Sequence, residues 1–244
     1  MKPDLRRRLT AEFVGTLLLV ATVVGSGIMA ERLSAGSVGL ALLANTLATG
    51  AALVALILTF GPISGAQFNP VVTIADALER AIPWREVPAY IVAQILGGIG
   101  GTMCAHAMFS LPAISLSQHA RSGPAQAFSE FVATFGLLSV IWGCSRFQSS
   151  VVAFAVGSYI TAAYWFTAST SFANPAVTIA RALSDTFAGI RPADVGAFVL
   201  AQLLGGIAAT LLFRWLAPGL IADGTTIVVP HRMRRRIESP PDMG

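Results

Sequence analysis

Phe68-Asn69-Pro70-Val71-Val72-Thr73-Ile74-Ala75 and Ala173-Asn174-Pro175-Ala176-Val177-Thr178-Ile179-Ala180 are one pattern written twice in this chain. Asparagine is a strong helix N-cap, and proline is favoured at the first helical position, where its missing N–H costs nothing. Asn69-Pro70 and Asn174-Pro175 are therefore expected to start a helix each. Those helices are predicted to run about ten residues, to near Leu78 and Leu183. At 1.5 Å per residue that is roughly 15 Å, half the thickness of a bilayer's hydrocarbon core.

The repetition extends outward from these boxes. Ala11-Glu12-Phe13-Val14-Gly15-Thr16 returns as Ser129-Glu130-Phe131-Val132-Ala133-Thr134. Ala93-Gln94-Ile95-Leu96-Gly97-Gly98-Ile99 returns as Ala201-Gln202-Leu203-Leu204-Gly205-Gly206-Ile207. Six apolar stretches surround the motifs: 9–30, 38–60, 86–110, 126–144, 150–168 and 193–217. Each is a continuous run of the length a helix needs to cross a membrane, so helices are predicted and strands are not. Three spans per half is an odd number, so the second half must enter the membrane from the opposite side. The expected fold is all-α: six transmembrane helices plus two re-entrant half-helices as an inverted repeat. The whole chain reads as one domain, with repeat one at 9–110, repeat two at 126–217 and a basic tail at 218–244. Ala93, Gly97 and Gly101, with Ala201, Gly205 and Ala209, form small faces at four-residue spacing for close helix packing.

Composition agrees. The chain is 55% hydrophobic and 11% charged, too few charges to cover a water-facing surface. The net charge of +4 is a matter of topology and does not point to nucleic acid. With both termini cytoplasmic, Lys2, Arg6, Arg7, Arg8, Arg80, Arg85, Arg146, Arg214, Arg232, Arg234, Arg235 and Arg236 lie inside. Only Arg32, Arg121, Arg181 and Arg191 lie outside, 12 against 4, which is the positive-inside asymmetry expected at an inner (plasma) membrane. A cleaved signal is disfavoured, because the first apolar run has 22 residues against about 7–15 in a signal.

Two opposed half-helices would meet N-terminus to N-terminus at the midplane, each end carrying roughly +0.5 charge. The segments before them, 61–68 and 167–173, are rich in Gly, Ser and Thr and read as irregular backbone. Such backbone is tolerated at that depth only where it lines a cavity. Cations and hydronium should be repelled there, while neutral hydroxylated molecules pass.

Glu12 and Glu130 are acids inside apolar spans, so each must be buried and hydrogen-bonded. Either they brace the irregular loops or they form a proton relay; their symmetry favours bracing. Cys104 and Cys144 read as packing thiols, and the three histidines form no cluster, so neither a metal site nor a cofactor is expected. Nothing in the chain looks like a nucleophile–base pair or a phosphate loop, and no enzyme activity is expected.

The paired Asn-Pro boxes, paired glutamates and Ala-Gln-(Ile/Leu)-Leu-Gly-Gly spans resemble the aquaporin family over nearly the whole chain. The resemblance implies a passive pore for water and small neutral solutes in a lipid bilayer, assembled as a homotetramer. It also implies roles: Asn69, Pro70, Val71, Asn174, Pro175 and Ala176 at the pore midplane, and Thr49, Ser171, Val177 and either Ala162 or Tyr164 at the selectivity filter. Water-selective members carry an arginine where Val177 stands and an aromatic ring where Thr49 stands, so the resemblance implies a wide filter. The first box ends in Val71 instead of alanine. The pattern is similar to bacterial channels associated with arsenic-resistance operons, which implies passage of glycerol-like polyols, arsenite and methylated arsenicals.

Arg181 lies one turn beyond Val177, about 40° off its direction. It either lines the outer vestibule or pairs with Asp185 at i+4. Alternative readings of the whole are a strictly water-selective pore, a proton-coupled transporter relying on Glu12 and Glu130, and a poorly conducting junction protein.

Overall fold

The computed structural model describes residues 3–217, so the basic tail expected at 218–244 lies outside the described residues. Eight α-helices follow one another: α1 (Leu5–Leu33), α2 (Val38–Ser64), α3 (Pro70–Leu78), α4 (Val87–Met108), α5 (Pro124–Phe147), α6 (Val152–Phe166), α7 (Pro175–Arg181) and α8 (Pro192–Leu216). Six of them are long and apolar enough to cross a membrane, and α3 and α7 are the short ones.

Packing repeats with the sequence. α1 lies on α4 as α5 lies on α8, and α2 and α6 join the halves. The glycines permit the first of these contacts. A methyl group added at Gly97 would overlap the carbonyl of Phe13, and one at Gly205 would overlap the carbonyl of Phe131. Helix backbones in direct contact are how spans associate in lipid, where apolar burial supplies no drive. The central apolar cluster runs from Leu19, Val20 and Val23 on α1 to Leu137, Leu138 and Ile141 on α5.

Most element ends differ from the sequence expectation by one to four residues. α1 begins at Leu5 because the Asp4 side chain accepts the Arg7 N–H at 2.9 Å, capping a turn before the apolar run. α2 continues through Gly61 and Pro62 to Ser64, so the irregular stretch is shorter than 61–68. Pro62 sits in the final turn, where its missing N–H removes one bond, and the helix closes when Gly65, at φ 96°, donates to the Gly61 carbonyl at 3.0 Å. α7 stops at Arg181, two residues before Leu183, whereas α3 ends at Leu78.

Candidate pore and filter

Both half-helices start as their sequence dictates. The Asn69 Oδ1 accepts the Val71 N–H at 3.0 Å, and the Asn174 Oδ1 accepts from Ala176 at 3.0 Å and Val177 at 3.3 Å. The amide nitrogens do something the sequence did not suggest. Asn69 Nδ2 donates to the Ala173 carbonyl at 2.8 Å, and Asn174 Nδ2 donates to the Phe68 carbonyl at 2.7 Å. One N–H of each amide thus ties the two repeats together, and the other is left for the lumen.

The loops entering these helices carry a strained backbone at matching positions. Ala66 and Phe68 have φ of 49° and 50°, and Ser171 and Ala173 have 50° and 49°. Left-handed conformation costs a non-glycine residue about 1–2 kcal/mol. Buried carboxylates hold it in place. Glu12 accepts from Ser64 Oγ (2.6 Å), the Gln67 N–H (3.0 Å), the Phe68 N–H (2.7 Å) and Gln94 Nε2 (2.8 Å). Glu130 accepts from the Phe172 and Ala173 N–H groups (2.9 and 2.8 Å) and from Gln202 Nε2 (2.6 Å). Gln94 and Gln202 also donate to Thr73 and Thr178 on the half-helices, each at 2.9 Å. These glutamines and threonines lay inside the repeated motifs, but spacing alone assigned them no role.

Beside the half-helix N-termini lies a cavity of about 60 Å³, room for a short file of waters. Asn69 and Asn174 line it, and so do Thr49, Tyr164, Ser171 and Val177. Tyr164, not Ala162, is the α6 residue of this cavity. Ala162 is exposed on the outside of the helix, because two positions along a helix turn a side chain by about 200°, and a shortened loop spoils counting back from Asn174. Thr49 donates to the Asn45 carbonyl at 2.9 Å and accepts from the Tyr164 hydroxyl at 3.3 Å. Pro70, Val71, Pro175 and Ala176 are buried beside the lumen, with Val71 seated against Gly206 of α8.

Arg181 also lines this cavity, although it is only 2% exposed. Its Nε donates to the Ala188 carbonyl. Its guanidinium carbon lies 3.4 Å from the centroid of the Phe172 ring, and Nη1 has no partner. The i+4 pair with Asp185 is not made; Asp185 instead accepts the Gln118 N–H at 2.9 Å. The cavity has one charged side chain, this arginine, and no carboxylate among its lining residues. Arg121, from the loop before α5, stacks on the same Phe172 ring with its guanidinium carbon 5.1 Å from the centroid. Neither cysteine lines the cavity, and His106 is buried between the Pro112 carbonyl (2.6 Å) and Ser184 Oγ (2.8 Å).

The family description Major intrinsic protein matches residues 1–148 and 141–236. The chain belongs to the major intrinsic protein family. Members are membrane channels and not enzymes. The chain is 56% identical over 213 residues to Aquaglyceroporin AqpS of Rhizobium meliloti (strain 1021), covering 87% of this chain and 91% of that one. It is 31% identical over 246 residues to Probable aquaporin AqpM of Archaeoglobus fulgidus, covering 89% and 99%. The fold is similar to the X-ray structure of the aquaglyceroporin from Plasmodium falciparum, with a TM-score of 0.68 at 21% identity over 88% of this chain and 98% of that one. This member of the family is a multi-pass membrane channel for small neutral solutes.

Proposed function

We propose that this channel passively passes neutral hydroxylated solutes of glycerol size as well as water, arsenite and methylated arsenicals among them. The observation that carries the reading is Val177. It stands in the first turn of α7, lines the same cavity as Thr49 and is a short apolar side chain. An arginine at that position would project five N–H donors and considerable bulk into the lumen. Thr49 likewise leaves space that an aromatic ring would fill. The name Aquaglyceroporin AqpS, borne by a relative sharing 56% identity, supports the same solute class.

The pore boxes Asn69-Pro70-Val71 and Asn174-Pro175-Ala176 set the midplane. Thr49, Tyr164, Ser171 and Val177 set the filter, Arg181 stands beside it, and Glu12 and Glu130 brace the loops. Both termini face the cytoplasm in a plasma membrane, and four copies assemble with one pore each.

Swelling rates of proteoliposomes in water, glycerol, urea and arsenite, measured side by side, test this. Glycerol and arsenite rates well above those of empty vesicles, and unmoved by a pH gradient, are expected. Water flux without glycerol flux would leave a water-selective pore.

A further inference from the structure

We propose that Arg181, with Ser171, forms a binding site for a small singly charged oxyanion at the outer end of the pore cavity. The proposal uses the same cavity as the solute reading but does not depend on glycerol passing.

Three observations carry it. First, Arg181 Nη1 and Ser171 Oγ are both buried, both without a hydrogen-bond partner, and both belong to residues lining the cavity. Buried donors are seldom left open, because each unsatisfied group costs about 1–3 kcal/mol. Two such donors sharing one lumen point to a ligand that accepts from both. Second, the guanidinium charge at this end is unpaired, the Asp194 carboxylate meeting Arg121 only at its backbone N–H (2.8 Å). Phe172 is flanked by the guanidinium carbons of Arg181 at 3.4 Å and Arg121 at 5.1 Å, and among the described residues neither arginine makes an ion pair. Arg121 is spent on neutral acceptors, the carbonyls of Gly189 (2.9 Å) and Ser169 (3.1 Å). Glu130 is nearby, but its oxygens are taken by Phe172, Ala173 and Gln202, and it does not line the cavity. Third, His119, in the loop before α5, is held below the usual imidazole range by burial first, then by Arg121 and Arg181, against the opposing pull of Asp185 and Glu31.

The geometry selects the ligand. A guanidinium edge already anchored through Nε to Ala188 offers its remaining donors in a plane, which suits an oxyanion better than a spherical halide. A multiply charged anion would shed more hydration than a mostly apolar wall returns. An oxyanion seated between Arg181 and Ser171 plugs the lumen beside Val177 and Tyr164, so occupancy slows every other solute. Weak acids crossing as neutral molecules would be retained there in proportion to their ionised fraction.

The test reads water flux, because methanesulfonate carries one charge at any working pH and crosses lipid poorly. Proteoliposomes are shrunk in sucrose with methanesulfonate on both faces, replacing chloride at constant ionic strength. The parent channel should slow about twofold when the anion equals its Kd and half the pores are filled. Each variant is compared with its own rate in chloride. Arg181→Gln should abolish the slowing, and Arg181→Lys and Ser171→Ala should weaken it, so a folding failure in one variant leaves others to decide. Equal rates in the two anions for the parent overturn the proposal. So does slowing that survives every one of these substitutions. A pore that carries water but not glycerol sinks the solute reading and leaves this test intact.

Discussion

Asp76 and Arg181 occupy the same position in the two repeats, seven residues past Asn69 and Asn174, one an acidic residue and the other a basic one. Their neighbours diverge with them. Gln67, two before Asn69, donates through Nε2 to Asp76 and accepts from Thr73 Oγ1 at 2.7 Å. Phe172, two before Asn174, presents its ring face to Arg181. One ancestral geometry therefore carries an amide–carboxylate pair on one side of the membrane and a ring–guanidinium pair on the other. The divergence makes the two half-helices chemically unlike, and either pair can be tested alone.

Asp76→Asn should be tolerated and Asp76→Leu should not. Asparagine turned with its oxygen toward Gln67 keeps the hydrogen bond. Leucine leaves the buried Gln67 Nε2 without an acceptor, a cost of about 1–3 kcal/mol. Thermal unfolding in detergent should place the leucine variant clearly below the asparagine one. Equal melting points would show that the Gln67–Asp76 bond stabilises nothing.

Glu12→Gln and Glu130→Gln should each lower stability and yield without making flux pH-dependent. Both oxygens of each carboxylate accept a backbone N–H, from Gln67 and Phe68 in one case and Phe172 and Ala173 in the other. Whichever way the new amide turns, its own N–H₂ meets a donor, at about 1–3 kcal/mol per site. Unfolding temperature and the pH dependence of glycerol flux check this together. Variants of parental stability that lose a pH-driven flux would revive the proton-coupled reading.

Gly97→Ala should destabilise by about 1–3 kcal/mol through overpacking, since the added methyl meets the Phe13 carbonyl and backbone cannot step aside as a flexible side chain can. Gly39→Ala is the control. Nothing lies within 4 Å of a methyl group there, and alanine in a helix gains up to about 1 kcal/mol over glycine. Opposite shifts in unfolding temperature are expected from the same chemical change.

Glu79→Ala should cost about 3–5 kcal/mol, the penalty for breaking a buried ion pair from one side. The Glu79 side chain is 2% exposed and holds Arg146 at 3.2 Å and Arg214 at 2.5 Å, fastening the end of α3 to α5 and α8. Loss of monodisperse protein after extraction, rescued by replacing Arg146 with methionine in the same chain, would show that stranded charge is the cause.

What the sequence revealed of all this was what is local. Asn69-Pro70 and Asn174-Pro175 announce their helices because a cap and its proline act within one turn. The glutamates could be placed in the protein interior because a bare carboxylate in lipid is untenable. Gly61 and Pro62 fell in the stretch expected to be irregular, yet a proline in a last turn forfeits one bond and a glycine cap absorbs the ending. Tyr164 was ambiguous with Ala162 because a shortened loop shifts the count, and two residues reverse a helix face. Arg121 went unnoticed as a neighbour of Phe172, since its partners come from residues 48 and 68 positions away, a closeness that only folding creates.

Val177→Arg is the substitution that bears most directly on solute size. Val177 is 5% exposed and shares the cavity with Thr49, Tyr164 and Arg181. The new guanidinium would fill space that a three-carbon solute needs and leave room for a file of single waters. It would also stand one turn from Arg181, so the two like charges would repel and one would be driven toward the lumen. Glycerol and arsenite flux should fall by about tenfold or more, about 1.4 kcal/mol on the barrier, with water flux changed far less. Val177→Ala should do neither, which separates bulk and charge from mere replacement. Stopped-flow light scattering on parent and variants at matched protein density gives both rates from one preparation. Undiminished glycerol flux in Val177→Arg would place the narrowest point elsewhere, and Arg181 with Phe172 would be the next constriction to test.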